Sequence, residues 1–288
     1  MSTALELCGV SYEYNPKTPF ATAALKDIDL SFEKGRITGI IGHTGSGKST
    51  LVQMLNGLLR PTAGRVLLDG ADIWEKPKKI TSVRFRVGLV MQYPEYQLFD
   101  ATVRDDIAFG PRNMKLSEEE IDARLLAAAS FAGVSSELFD KSPFDLSGGQ
   151  RRRVAIAGVI AMRPEVLILD EPAAGLDPRG RRDILNGLWK YGKESGTTVI
   201  LVSHSMEDMA HYCDDVVVMN AGGVYMKGET ASVFSRSEEL AAIGLDIPEV
   251  AKIALALKSR GIALEGDLYT VAGVKDALLR WKRKGGQL

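Results

Sequence analysis

Short apolar runs, most of them closed by glycine, a hydroxyl residue or an acid, recur along much of the chain, and helical spacing dominates in an insert and in the tail. Residues 5–10 and 24–32 read as strands, the second alternating imperfectly through Leu25, Ile28, Leu30 and Phe32. Tyr12 and Tyr14 lie between them, leading into a loop with Asn15, Pro16 and Pro19. An apolar run at 37–41 is followed by a glycine-rich stretch and a helix from Leu51. A turn at 61–64 precedes a strand at 65–68, and a second turn at Asp69-Gly70 leads toward a strand at 87–91. Further apolar strands are expected at 166–169, of the buried type, at 198–202, at 216–219 and at 223–227.

Between residues 93 and 163 the texture becomes helical, and this stretch reads as a subdomain inserted into a β-rich surround. One helix is expected at 103–114. Ser117 and Glu120 form a capping-box pattern for a second, running to about Ala132. A third begins at Ser147 and carries the basic, then apolar, run 151–162. Another helix starts at Pro178, well placed as a first helical residue. From about Glu229 a tail follows. Val250, Ile253, Ala254 and Leu257 recur at helical spacing, as do Val274, Ala277, Leu278 and Trp281. Two amphipathic helices around a short extended piece are expected there, making a small α+β appendage at 229–288 beside a main domain at 1–228.

The chemistry concentrates at strand ends. Residues 42–50 read GHTGSGKST and fit G-x-x-x-x-G-K-[ST], with strand before and helix after. Gly42, Gly45 and Gly47 let the backbone wrap an anion, and the helix start adds a positive dipole end. Lys48 supplies a mobile charge, Ser49 a hydroxyl for Mg2+, and Thr50 continues the helix. Asp170, at the end of the 166–169 strand, is positioned to hold Mg2+, and the adjoining Glu171 to orient and deprotonate an attacking water. His204 follows the 198–202 strand, whose end should face the same crevice, so it is a candidate γ-phosphate contact. His43 and His211 carry no such argument and read as structural. Ser147, Gly148, Gly149 and Gln150 offer a capped helix start with bare backbone N–H groups, a second anion site.

Composition removes other classes. A net charge of −1 over 288 residues gives no global basic field for nucleic acid. Arg151, Arg152 and Arg153 read as a solvated helix face, and the basic end 280–284 as a solvated terminus. Cys8 and Cys213 are too few for a disulfide framework, which suits a reducing compartment. No signal peptide is visible, and the apolar run 154–162 is far too short to span a bilayer.

Taken in order, Gly42 to Ser49, Gln92, Leu146 to Gln150, Asp170-Glu171, Asp177 and His204 resemble the nucleotide-binding ATPase of the ATP-binding cassette family, over about residues 4–230. The resemblance implies a P-loop NTPase of cassette type, with a RecA-like core, an antiparallel β subdomain and a helical subdomain. It implies ATP and Mg2+ as cofactors, Tyr14 stacked on the base, and Gln92 sensing Mg2+ and the transmembrane partner. It also implies that the LSGGQ segment closes in trans over the ATP of a second cassette subunit.

Within that family, the stretch MQYPEYQLF at 91–99 and LSGGQRRRVAIAG at 146–158 look like the ATPases of energy-coupling factor importers, nearer the second of two paralogues. Such importers bring vitamins or transition-metal ions into prokaryotic cells. The implied place is peripheral, at the cytoplasmic face of the cell membrane, beside an integral coupling subunit and a substrate-binding membrane subunit. The tail fits a dimerisation appendage. The coupling helices of the transmembrane subunit would then meet residues 93–100, with Glu95 or Asp100 receiving one of their arginines. A soluble cassette ATPase of translation or DNA repair is the alternative. Those usually carry two cassettes or a long coiled-coil insertion, and neither is present. A non-hydrolytic regulator is disfavoured by the intact Glu171.

Overall fold

The computed structural model describes residues 2–283 and builds them around two sheets. Strands β1 (Thr3–Tyr14), β2 (Thr22–Glu33), β3 (Ile37–Gly42), β4 (Ala63–Leu68), β5 (Ala71–Asp72) and β6 (Val87–Val90) come first, with helices α1 (Lys48–Leu55) and α2 (Ile80–Arg86). The insert follows as α3 (Val103–Asn113), α4 (Glu118–Ala132) and α5 (Gly148–Ile160). Then come β7 (Val166–Asp170), α6 (Pro178–Ser195), β8 (Thr198–Val202), α7 (Met206–Tyr212), β9 (Asp215–Asn220) and β10 (Gly223–Glu229). The tail is α8 (Thr230–Ser235), α9 (Ser237–Ala242), α10 (Glu249–Ser259) and α11 (Val271–Arg283).

The larger sheet runs β10-β9-β3-β8-β7-β6, parallel except for β10. Every residue of β3, β7 and β8 is buried, as expected of parallel strands covered on both faces. Their period of two divides the interior. Ile37, Ile41, Leu167, Leu169, Val216 and Val218 join one core, while Ile40, Val166, Ile168, Val217 and Met219 join another. The second core lies under α1 and the antiparallel sheet β2-β1-β4-β5. The first lies under the helices of the insert, α6, α7 and the start of the tail. All the parallel strands therefore end on one edge, where the loops after β3, β6, β7 and β8 meet.

Several local expectations change. Strand β1 runs on through Tyr12 to Tyr14, so both tyrosines sit on a strand and not in the loop after it. Ser117 caps α4 by accepting from the Glu120 N–H (3.3 Å), but the Glu120 carboxylate accepts from Arg124 (2.7 Å) instead of returning to the cap. The tail contains four helices and no strand among the described residues, so the stretch between α10 and α11 adds no β structure to it. On α10 the small residues Ala251 and Ala254 face inward, and Ile253 is 53% exposed. The buried face is thus one position away from much of the predicted apolar stripe. On α11, Val274 and Ala277 are buried as expected, while Lys284 lies outside the described residues.

The root of the tail belongs to the main core. Val233, Phe234, Leu240, Leu245, Ile247 and Ala251 share a cluster with Val216, Val218 and Met209, and Thr230 Oγ1 donates to the Cys213 carbonyl (2.7 Å). Truncation after Glu229 would strip these six side chains, each worth about 1 to 3 kcal/mol of burial for its size. The shortened chain should lose cooperative unfolding or fall steeply in denaturant midpoint. Removal of residues 260–288 should cost far less, and equal midpoints for the two truncations would contradict this packing.

Candidate active site

Strand β3 delivers the chain to Gly42, and α1 carries it away from Lys48, so residues 43–47 must reverse direction within one short loop. Gly47 caps α1 at φ 99°, and a Cβ there would stand 2.6 Å from the Ala24 carbonyl oxygen. Glycine is required both for the dihedral and for the approach of β2. The Lys48 ammonium is buried and donates to the carbonyls of Gly42 (2.6 Å) and His43 (2.8 Å). Burial pushes its pKa below the ordinary lysine value, against the pull of Glu171 and Asp170. Tyr14 reaches the same loop, its hydroxyl 3.1 Å from Thr50 Oγ1 and its ring edge-on to Tyr12 at 4.8 Å.

The acids arrive from β7. The Asp170 carboxyl, buried at the strand end, accepts from Ser49; burial raises its pKa while Ser49, Lys48 and His204 pull it down. Glu171 turns the chain at φ 51°, a left-handed conformation that costs a non-glycine residue energy, and its N–H bonds the Val202 carbonyl (3.0 Å). One oxygen, Oε1, is buried without a hydrogen-bond partner, with His204 Nε2 at 3.6 Å. Burial, then the Asp170 charge, push the Glu171 pKa up to about 7. Burial and Lys48 lower that of His204, which favours its neutral imidazole.

Tyr14, Gly45, Gly47, Lys48, Ser49, Thr50, Gln92, Asp170, Glu171 and His204 line one cleft of about 430 Å3. Gly42 stands behind it, bonded to Lys48. A larger cavity, about 530 Å3, opens at the other end of the strands around Phe131 and Tyr191 and carries none of these groups. The donors Ser49, Gln92 and Asp170 are all hard oxygens, the set a divalent cation such as Mg2+ prefers. Thr22, Ala23, Ala24 and Thr44 also line the cleft and were missed. The first three arrive by packing of β2, for which the sequence carries no signal; Thr44 could have been picked from its place in the glycine loop.

Ser147, Gly148, Gly149 and Gln150 are not among the residues lining that cleft. They begin α5 with a full capping box: Ser147 Oγ accepts from the Gln150 N–H (3.3 Å), and Gln150 Oε1 from the Ser147 N–H (2.9 Å). The helix start points its free donors at open solvent, Ser147, Gly148 and Gln150 being exposed.

Arg152 is not on a solvated face: its side chain is 4% exposed and forks onto Glu95, Nη2 to Oε1 at 2.5 Å and Nε to Oε2 at 2.9 Å. It also donates to the Ala174 carbonyl and lies over the Tyr93 ring at 5.8 Å. Glu95 is therefore already satisfied within the chain and cannot be the acid that waits for an arginine from another subunit. Asp100, half-buried, has no such arginine among the described residues.

A glycine loop with its lysine, a strand-end acid pair, a histidine and a separate capped glycine helix, on a mixed sheet with an inserted helical layer, define a P-loop ATPase of the cassette class. The ABC transporter family profile matches residues 25–174. The chain is 52% identical to the energy-coupling factor transporter ATP-binding protein EcfA2 of Caldanaerobacter subterraneus, over 95% of this chain and 96% of that one. It is 50% identical to the EcfA2 protein of Clostridium perfringens, over 96% and 97%. Among solved structures it is similar to cbiO1 from Clostridium perfringens, described as part of the ABC transporter complex cbiONQ. There the TM-score is 0.75 at 40% identity, covering 90% of this chain and 100% of that one. It is also similar to a dimeric post-hydrolysis state of the cassette MJ0796 bound to ADP and Pi, with TM-score 0.71 and 27% identity over 78% and 98%. The chain belongs to the energy-coupling factor transporter ATP-binding proteins of the ABC transporter family, whose activity is ATP hydrolysis coupled to transport.

Proposed function

We propose that this chain is the second of two paralogous ATPases that together energise an importer of vitamins or transition-metal ions, held peripherally at the cytoplasmic face of the membrane. The observation that carries the reading is the orphaned, buried Glu171 oxygen in a cleft that also holds Lys48, Ser49 and Gln92. No helix among the described residues is long and apolar enough to cross a membrane; in this reading a separate subunit does so.

In this reading Tyr14 stacks on the base of ATP, kept at the rim of the cleft by its bond to Thr50. Lys48 turns from its own loop carbonyls to the phosphates, which the N–H groups of residues 45–50 cradle. Ser49, Gln92 and Asp170 would hold Mg2+, which offsets phosphate charge when bound. Glu171 takes the proton of the attacking water at Oε1, and neutral His204 donates to the γ-phosphate. Ser147, Gly148, Gly149 and Gln150 close the partner ATPase's site, an arrangement supported by the exposure of Ser147, Gly148 and Gln150 on a separate helix start.

Coupling rests on the segment after Gln92. Tyr93, Tyr96, Phe99 and Phe109 are 44%, 83%, 59% and 46% exposed, and Phe99 and Phe109 pack edge-on at 4.8 Å. Four exposed aromatics in one region fit an anchor for the membrane coupling subunit, with Asp100 beside them. Co-purification from detergent-solubilised native membranes should bring down the second ATPase and an integral membrane subunit. The Tyr96→Ala, Phe99→Ala double variant should bind ATP normally and lose at least about 2 kcal/mol of capture, or roughly thirtyfold. Undiminished capture and uptake would move the coupling contact elsewhere.

A further inference from the structure

The tail reaches back toward the catalytic loops at two points six residues apart. His43, the second residue of the glycine loop, presents its ring Nε2 2.9 Å from the carbonyl oxygen of Ile243, at the end of α9. The carbonyl can only accept, so Nε2 carries the proton. Gly244, at φ 77°, lays its backbone along the same ring: a Cβ there would lie 3.6 Å from Cε1 and Nε2. At the other end, the Glu249 N–H that opens α10 donates to Glu207 Oε1 (3.0 Å) on α7. Glu207 in turn lines, with Glu171 and His204, a cavity of about 370 Å3. Between the two tethers Leu245 and Ile247 are buried in one cluster with Met206 and Met209.

We propose that residues 243–249 form a strap that carries nucleotide occupancy from the catalytic cleft to the C-terminal helices, with His43 as its positioning residue. Lys48 donates to the His43 carbonyl as well as to Gly42. A triphosphate in the loop draws that ammonium to itself, so the His43 carbonyl loses its donor and the peptide that carries the ring shifts. The ring's bond to Ile243 then re-forms in a different geometry or breaks, and α10, rooted at Glu249, follows. Because coupling free energy is reciprocal, docking of the tail feeds back on the loop. His43 itself is exposed, so nothing in the core holds its ring where it is. The inference rests on the nucleotide site described above.

The test is amide hydrogen exchange on the full chain, with and without Mg2+ and the non-hydrolysed analogue AMP-PNP, alongside calorimetry of AMP-PNP binding in the same samples. In the wild type, exchange of the amides at 243–252 should change about 2- to 10-fold on binding, the range of one hydrogen bond. His43→Ala should bind AMP-PNP and lose that change. His43→Gln, whose amide nitrogen takes the place of Nε2, should keep it. An unaltered response in His43→Ala, or a His43→Gln as uncoupled as His43→Ala, overturns the strap. Wild-type binding with no change at 243–252 does so too while leaving the nucleotide site intact; absent binding overturns both.

Discussion

Glu171→Gln should bind ATP and turn it over about 10²–10⁴-fold more slowly, the span that a positioned general base contributes. The substitution keeps size and one oxygen acceptor but cannot take a proton. Its site is already shaped for that role: Oε1 is buried and unpartnered, and the φ of 51° holds the side chain at the strand end. The pKa of about 7 matters for the sign of the pH dependence. A base must be ionised, so turnover should climb as pH rises through about 7 and flatten above it, and the Gln variant should lose this limb. Stability runs the other way. The folded chain holds the Glu171 proton more tightly than the unfolded one, so this group costs stability increasingly as pH rises from the ordinary carboxylate range to about 7. Above that, Glu171→Gln should unfold at higher denaturant than the wild type. Near-normal turnover by the Gln variant, measured in the assembled complex, would assign the base elsewhere.

The parts of this site that were legible in the sequence share one property: their meaning is set by neighbours in the chain. Lys48 follows Gly47 and opens a helix; Asp170 and Glu171 end an apolar run; Ser147 and Gln150 close their capping box within one turn. What stayed hidden depends on partners far along the chain. Arg151, Arg152 and Arg153 look alike in sequence, yet successive helical positions point about 100° apart: Arg152 is buried, while Arg151 and Arg153 are half-buried and Arg153 donates to the Ala132 carbonyl (3.1 Å). Glu95, the partner of Arg152, lies 57 residues away. His43 and Ile243 are separated by 200 residues, and no local pattern joins them. The tail was misread for a different reason. Helices of six residues such as α8 and α9 are too short to display a period, and α10 buries alanines where the pattern favoured larger apolar residues.

Arg152→Ala should cost about 3–5 kcal/mol of stability, because it strands a carboxylate that the fold has already taken out of water. The Glu95 side chain is 11% exposed and Arg152 4%, so neither charge can be rehydrated without opening the insert. Burial alone would raise the pKa of Glu95, but the hydrogen bonds and charge of Arg152 outweigh it and hold the carboxyl below its ordinary value. With the folded pKa depressed, the pair's stabilisation is present above the ordinary carboxylate range and lost as pH falls below it. Glu95→Gln should cost less than Arg152→Ala, since the amide oxygen still accepts one bond and no bare charge is left behind. The consequence goes beyond stability. Arg152 sits on the helix that begins at Ser147 and bonds both Glu95, three residues after Gln92, and the Ala174 carbonyl, three residues after Glu171. It is the joint at which the segment after Gln92, the helix that begins at Ser147, and the loop after Glu171 are fixed to one another. A double-mutant cycle between Glu95→Gln and Arg152→Ala, read by urea unfolding, should give a large coupling energy, and each single variant should uncouple ATP turnover from uptake. Additive losses in the cycle would mean that the two side chains act independently, and the joint would have to be sought elsewhere on α5.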